Sequence, residues 1–162
     1  MLNDSKYGVS MLGDEIALTL LRAAACPDPH ADQGEHHFVY SYYLWDGPFA
    51  DCGVVREGCE LNVPVTAVNG AAETFSLMRV DAPNVIIDTV KAAEDGSGDT
   101  IIRLYESKHA ACDACLTLNL PAGEVYACDM LENPSEQLPL QDGRVYLSFR
   151  CFEVKTLRVK RS

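Results

Sequence analysis

One stretch of the chain decides its fold class: Ala114-Cys115-Leu116-Thr117-Leu118-Asn119-Leu120. Apolar side chains alternate with polar or smaller ones along it, so the alanine and the leucines fall on one side of an extended backbone. A repeat of two residues is typical of a strand that buries one face and leaves the other more accessible. The stretch therefore predicts a half-buried β-strand.

Further segments on both sides of it have the branched, aromatic or alternating side chains that favour strands. By residue number they are 16–22, 36–45, 75–80, 85–92, 100–107, 124–131, 145–149 and 152–159. Turn-forming residues separate several of them, as in Glu-Asp-Gly-Ser-Gly-Asp at 94–99, Pro-Ala-Gly at 121–123 and Gln-Asp-Gly at 141–143. Many short strands without alternating helices predict an all-β fold, an antiparallel β-sandwich.

The segment 36–45 carries aromatic residues on both of its predicted faces. Tyr40 and Tyr42 fall on one side, and Tyr43 and Trp45 fall on the other. We therefore expect this strand to be covered on both sides. Flat rings can also stack on the apolar face of a sugar. Core packing is the favoured interpretation, because an enclosed aromatic side chain removes roughly 150–250 Å² from water.

At most one short helix is expected, near residues 51–60. Asp51 is a candidate cap for one or two turns that place Val54, Val55 and Cys59 on one side. Two glycines in the segment count against the helix, since each costs roughly 1 kcal/mol relative to alanine in a helix interior.

The length and composition are those of an ordinary globular domain. The chain has 162 residues, of which 48% are hydrophobic and 23% charged, and we expect residues 1–162 to form a single β-sandwich domain. Thirteen basic against 24 acidic side chains give a net charge of −11. A surface this acidic repels phosphate backbones and anionic lipids, and no apolar run reaches about 18 residues. Neither nucleic acid nor a membrane is therefore expected as a partner.

The cysteines bear on the cellular compartment. The chain has seven, and its first ten residues lack the cationic and apolar regions of a signal peptide. An odd number of cysteines without such a peptide argues against a secreted disulfide framework, so free thiols in a cytoplasmic protein are expected. The chain also runs into patterned sequence at once, which predicts that a longer polypeptide precedes Met1.

One cluster of carboxylates is a candidate for chemistry. Glycoside hydrolysis needs two facing carboxylates about 5–9 Å apart, and Asp28, Asp32 and Glu35 are close enough in sequence to supply a pair. They lie in a proline-rich turn, where acidic residues commonly accept local hydrogen bonds. The turn interpretation is favoured for that reason.

A second cluster contains potential metal ligands. His109, Cys112 and Cys115 are spaced at intervals of three residues. A structural zinc site usually has four ligands, so Cys128 or Asp113 would have to complete the set. Redox chemistry is a weaker alternative, because the Cys-x-x-Cys pair leads into a strand rather than a helix. Ordinary thiols in a loop are the favoured interpretation.

Short motifs over nearly the whole chain resemble, in order, the carboxy-terminal domain of family 38 α-mannosidases. They are Leu-Asn-Asp-Ser-Lys-Tyr-Gly at 2–8, Ile-Ala-Leu-Thr-Leu-Leu-Arg at 16–22, Ala-Cys-Pro-Asp-Pro at 25–29, Ala-Asp-Gln-Gly at 31–34, Leu-Asn-Val-Pro at 61–64, Val-Asp-Ala-Pro-Asn-Val at 80–85, Val-Lys-Ala-Ala-Glu-Asp at 90–95, Arg-Leu-Tyr-Glu at 103–106 and Phe-Glu-Val-Lys-Thr-Leu-Arg at 152–158. The chain departs from the family pattern at Glu35 and His37, and in the cysteine-bearing segment 107–115. The family therefore lends no support to a metal site at those cysteines.

The resemblance implies a parent enzyme, a retaining exo-α-mannosidase that hydrolyses terminal α-mannosides in oligosaccharides or glycans. In such enzymes an aspartate nucleophile and a divalent metal, usually zinc, lie in an amino-terminal catalytic domain, and none of those motifs occurs here. We therefore assign no catalytic, cofactor-binding or metal residue, and expect no cofactor in this fragment and no activity from it alone. Its expected partner is the catalytic domain of the same chain, through which it meets mannosides.

In the family, loops of the all-β domains approach the active-site side, which singles out the polar loops 3–8 and 28–36. The candidate contacts to substrate or to the catalytic domain are Asp4, Lys6, Asp32, Gln33 and His36. Turn formation and strand-end capping are the alternative roles of these residues. For the whole chain, the alternatives are a freestanding carbohydrate-binding, lectin-like β-sandwich and an interaction domain whose acidic surface meets a protein partner.

Overall fold

The computed structural model describes residues 1–70 and 73–161. The chain divides into two compact units, Met1–Val68 and Asn69–Ser162. Most of the secondary-structure elements are strands, and every strand pair is antiparallel. The one α-helix in the described ranges is short. The predicted all-β class is therefore confirmed. The expectation of one domain over 1–162 stays a prediction, because a division by compactness does not decide whether the units fold independently.

The first unit contains short strands, one 3₁₀ turn and one α-helix. Its strands are β1 (Leu2–Asn3), β2 (Val9–Leu12), β3 (Glu15–Leu18) and β4 (Tyr40–Ser41), the 3₁₀ turn is Phe49–Asp51, and helix α1 is Val54–Asn62. β2 and β3 form a hairpin, and β1 pairs with β4. Gly13 turns the hairpin with a φ of 62°, a left-handed conformation that glycine adopts without steric cost.

The prediction for the aromatic segment 36–45 is wrong in extent and in burial. Only Tyr40–Ser41 is a strand, and Tyr40, Tyr42 and Trp45 are all exposed, the second by 65%. Aromatic residues favour a strand only where a partner and a covered face exist, and the partner here is the two-residue β1. For the same reason the predicted strand at 16–22 ends at Leu18, where its pairing with β2 ends.

The predicted short helix is confirmed as α1, but the predicted cap is wrong. Gly53 occupies the N-cap position and supplies no side-chain hydrogen bond. Asp51 is instead the last residue of the preceding 3₁₀ turn, two residues before the N-cap. The hydroxyl of Tyr43 accepts a hydrogen bond from the Gly53 N–H at 3.1 Å. In the described ranges, α1 and every other helix are too short or too polar to cross a bilayer.

The second unit is a sandwich of two antiparallel sheets. Its strands are β5 (Met78–Val80), β6 (Val85–Ala92), β7 (Thr100–Glu106), β8 (Cys112–Leu118), β9 (Glu124–Cys128), β10 (Pro134–Leu138), β11 (Arg144–Phe149) and β12 (Val154–Lys160). The larger sheet has the order β10-β9-β12-β7-β6, and the smaller has the order β11-β8-β5. These bounds agree closely with most of the strands that the sequence predicts in this part of the chain.

The core of this unit takes side chains from both sheets. Ile102, Leu104 and Leu157 of the larger sheet join Leu116 and Val145 of the smaller one in a single buried cluster. Burying a side chain of this size stabilises the fold by roughly 1.5–3 kcal/mol relative to leaving it exposed. Every second residue of β8 faces this cluster, which confirms the alternation that decides the fold.

One strand of the sandwich has no counterpart among the predicted strands. β10 reads Pro-Ser-Glu-Gln-Leu, and only its last residue is not exposed. It is an edge strand that pairs with β9 alone, and its register shifts between Pro134 and Glu136. An edge strand without a buried face needs no apolar alternation and tolerates proline, so its sequence carries no strand pattern.

Candidate functional site

Asp4 and Lys6 lie beside the segment that leads into β4. The carboxylate of Asp4 accepts a hydrogen bond from the Val39 N–H at 2.9 Å, and the Asp4 N–H donates to the Val39 carbonyl at 3.1 Å. The ammonium of Lys6 lies 5.1 Å from the centroid of the Phe38 ring, within cation–π range. Asp4 therefore extends the pairing of β1 with β4, and Lys6 covers an aromatic ring.

Asp32, Gln33 and His36 lie together in the second polar loop. The carboxylate of Asp32 accepts a hydrogen bond from the Ala23 N–H at 2.9 Å, and the carbonyl of Asp32 lies 3.0 Å from Nε2 of His36. The side-chain amide of Gln33 donates to the Pro29 carbonyl at 3.4 Å. Asp32 has a φ of 59°, a left-handed conformation that aspartate tolerates better than most residues. The loop is thus held by its own side chains.

The structure brings the predicted contact residues together only within each loop. Across the described residues, no hydrogen bond joins Asp4 or Lys6 to the loop at 28–36. The neighbouring acidic residues also bond locally: Asp28 accepts from the His30 N–H at 2.8 Å. These contacts are those of turn-forming and strand-capping residues. Whether the same side chains contact substrate stays a prediction.

The cysteine cluster does not converge on one point. Cys112 packs against the buried cluster of the sandwich, whereas Cys115 lies three residues further along β8 and therefore on its other face. The His109 ring stacks on Phe152 with centroids 5.1 Å apart. Burial raises the pKa of the Cys128 thiol, which disfavours the metal-binding thiolate. Over residues 1–70 and 73–161, no three His, Cys, Asp or Glu residues are arranged to hold a metal ion.

A buried carboxylate that the sequence reading missed ties three loops of the sandwich together. Glu106 has no exposed surface. Its Oε1 accepts hydrogen bonds from the Lys108 N–H at 2.7 Å and the Asn84 side chain at 3.0 Å, and its Oε2 accepts one from the Phe152 N–H at 2.9 Å. Burial alone would raise the pKa of Glu106, but these hydrogen bonds outweigh burial and lower the pKa from 4.5 to about 2. The sequence does indicate that Glu106 is buried, because Glu106 lies two residues after Leu104 and therefore on the same, buried face of β7.

The outward face of the smaller sheet is a second feature that the sequence reading missed. Arg144 and Tyr146 of β11 point away from the core, in alternation with buried Val145 and Leu147. The alternation was visible in the sequence, but the register that aligns these side chains with residues of β8, and through β8 with residues of β5, was not.

Comparison with protein families identifies the sandwich. Residues 84–157 match the family described as "Glycosyl hydrolases family 38 C-terminal beta sandwich domain". This segment belongs to that family. The matched residues run from the turn before β6 into β12, so the family 38 match covers most of the two-sheet unit.

Curated proteins with similar sequences extend the relationship over almost the whole length of this chain. Alpha-mannosidase 2C1 of Homo sapiens is 39% identical over 165 residues, which cover 97% of this chain and 16% of that protein. Alpha-mannosidase 2C1 of Mus musculus is 37% identical, with the same shares. Alpha-mannosidase G of Dictyostelium discoideum is 33% identical over 98% of this chain and 15% of its own length. The chain therefore spans about a sixth of the length of the relatives it matches.

Proposed function

We infer that this chain is the C-terminal accessory domain of a retaining exo-α-mannosidase that hydrolyses terminal α-mannosides in oligosaccharides or glycans. The observation that carries the proposal is the asymmetry of the match to a protein named alpha-mannosidase 2C1, in which 97% of this chain aligns with 16% of the relative. A segment that matches almost throughout, yet forms a small share of its relatives, corresponds to one part of such an enzyme.

The buried carboxylates support an accessory role over a catalytic one. A glycosidase acid needs a raised pKa and access to the substrate. Glu106 has a lowered pKa and no exposed surface. The Lys91 ammonium, 2.7 Å away, lowers the pKa of Glu132, which is only 7% exposed. We expect the chain alone to release no product from an aryl α-mannoside, and turnover that rises in proportion to its concentration would contradict the proposal.

The nucleophile and the divalent metal, zinc by the resemblance, are assigned to the catalytic part of the parent enzyme. The surroundings of the local metal-ligand candidates support this assignment, because His109 stacks on a ring while Cys112 and Cys115 face opposite sides of β8. We propose that the parent enzyme is cytoplasmic. All seven cysteines lie in described residues and have free thiols, as is usual for proteins of a reducing compartment.

We assign two roles to the loops 3–8 and 28–36. They pack on the catalytic domain, and they help to shape its substrate site. Gln33 and His36 are exposed despite their loop contacts, so their remaining hydrogen-bonding groups are accessible to a sugar or to a neighbouring domain. The test is kcat/KM of the parent enzyme carrying Gln33→Ala, with Gln137→Ala on the exposed edge strand as the matched control. A fall for the first variant alone supports the assignment, and equal values for both remove it.

A further inference from the structure

The outward face of the smaller sheet is built in rows that cross its strands. β8 pairs with β11 on one side and with β5 on the other, so Arg79, Thr117 and Arg144 form one row. Neighbouring strands lie about 4.8 Å apart, which puts the Cα atoms of the two arginines about 10 Å apart. The threonine lies between two cationic side chains.

The next row consists of Asp81, Cys115 and Tyr146. β5 ends at Val80, yet Asp81 keeps the pairing through its side chain. Its carboxylate accepts a hydrogen bond from the Cys115 N–H at 2.7 Å, and its own N–H donates to the Cys115 carbonyl at 3.2 Å. Tyr146 pairs with Cys115 from the other side and is 64% exposed. An accessible aromatic ring and a fixed carboxylate thus flank one strand.

Two adjoining cavities open along the second row. One, of about 330 Å³, borders the arginine row. The other, of about 430 Å³, extends past Cys115 to Asp113 and Ser148. Both are lined by Asp81, Cys115 and Tyr146, so they form two halves of one concave surface. Each volume lies within the range of roughly 300–1,000 Å³ that small-molecule sites occupy.

The charged groups of this face have hydrogen-bond donors and acceptors without a partner in the described residues. Within the described part of the chain, the guanidinium groups of Arg79 and Arg144 form no hydrogen bond or ion pair. Asp113 uses one carboxylate oxygen for the Ser148 hydroxyl at 2.6 Å, and Asp81 uses one for the Cys115 N–H. The second oxygen of each carboxylate, and all the donors of both arginines, are available to a ligand.

We propose that this face binds a neutral saccharide of two α-linked mannose rings, one in each cavity. The choice of mannose rests on the proposed function, whereas the choice of a saccharide rests on the face itself. The Tyr146 ring offers a flat apolar surface for the C–H face of a pyranose. Two arginines supply donors and two aspartates supply acceptors, which suits hydroxyl groups that both donate and accept. The charges of Asp81 and Asp113 offset those of Arg79 and Arg144 along the two cavities, and this balance favours a neutral ligand over an ion of either sign.

The test is a nuclear magnetic resonance titration of the isotopically labelled chain with α-linked mannobiose, with sorbitol as a polyol control. We expect saturable shifts centred on Cys115, Thr117 and Tyr146, with mannobiose binding more tightly than methyl α-mannoside. Tyr146→Ala is expected to weaken binding about tenfold, the size of one lost aromatic contact, while Tyr146→Phe retains it. Phe152→Ala, at another exposed ring, is the matched control and leaves binding unchanged.

A second readout does not depend on a folded Tyr146 variant. Bound mannobiose should slow alkylation of Cys115 in the unaltered chain, and leave alkylation of exposed Cys151 unchanged. Absence of shifts at tens of millimolar sugar, or shifts that Tyr146→Ala does not alter, overturns the inference. So does a silent titration in which Tyr146→Ala weakens assembly with the catalytic part of the parent, since a protein would then cover this face. None of these results bears on hydrolysis by the parent, which tests the proposed function separately.

Discussion

Replacing Glu106 with glutamine should destabilise the sandwich strongly at neutral pH. The carboxylate has no exposed surface and accepts hydrogen bonds at 2.7 Å from the Lys108 N–H and at 2.9 Å from the Phe152 N–H. Glutamine has one acceptor oxygen where the carboxylate has two. If that oxygen faces Lys108 and Asn84, the new amide group points its own N–H groups at the Phe152 N–H, which loses its acceptor.

The expected loss is about 3 kcal/mol in the free energy of unfolding at pH 7. A buried N–H without a partner costs roughly 1–3 kcal/mol, and the remaining hydrogen bonds weaken because their acceptor is no longer charged. The pKa of Glu106, lowered from 4.5 to about 2, points to the same magnitude, since each unit corresponds to about 1.4 kcal/mol. Because the folded pKa lies below the unfolded one, this stabilisation is complete well above pH 4.5 and is lost as the pH falls through about 2.

Denaturant unfolding of both proteins between pH 7 and pH 2 measures this effect. The difference between the unaltered chain and Glu106→Gln should be constant from about pH 6 to 8 and shrink steadily below about pH 4. Glu136→Gln, on the exposed edge strand, is the matched control and should change stability by less than about 0.5 kcal/mol. Equal stability of all three proteins at pH 7, or a Glu106→Gln difference that persists unchanged to pH 2, would refute the reasoning.

Two other substitutions test the loops that close the sandwich. Arg158 is largely buried and reaches Asp99 and Asp95, each at 2.6 Å, through two different nitrogens. Arg158→Lys cannot make both contacts and should lower the free energy of unfolding by about 1–3 kcal/mol. Unchanged thermal stability of this variant would contradict the prediction. Gly143 has a φ of 72°, and an added Cβ would lie 3.0 Å from the Leu118 carbonyl oxygen. Gly143→Ala should therefore lower the free energy of unfolding, measured in denaturant, by at least about 1 kcal/mol. A gain in stability would contradict this and show that the turn relaxes freely.

The strands of the sandwich could be predicted because most of them bury one face. In β8 and β11, apolar residues such as Leu116 and Val145 recur at every second position, and burial between two sheets requires that pattern. The first unit offers no such constraint. Tyr40 and Tyr42 look like core residues, yet both are exposed. Tyr40 pairs with Asn3 of the two-residue β1, and Tyr42 lies beyond the end of β4. Aromatic content alone therefore misled the prediction there.

The candidate sites were harder to predict because they depend on register and on backbone partners. Nothing in the order of residues shows that Asp81 lies beside Cys115, since this requires the pairing of β5 with β8. The spacing of His109, Cys112 and Cys115 suggested a common site, but a strand sends residues three apart to opposite faces. One of the backbone donors that stabilise the ionised Glu106, the Phe152 N–H, lies in the loop that follows β11, more than forty residues away in sequence.

The most direct test of the account is reconstitution of α-mannosidase activity from two separately purified parts. The catalytic part of the parent enzyme, without this domain, is assayed for hydrolysis of an aryl α-mannoside before and after addition of the chain. We predict that the chain alone is inactive, and that its addition raises the activity or the thermal stability of the catalytic part in a saturable manner. A catalytic part whose kcat/KM and stability are the same with and without the chain would contradict the account.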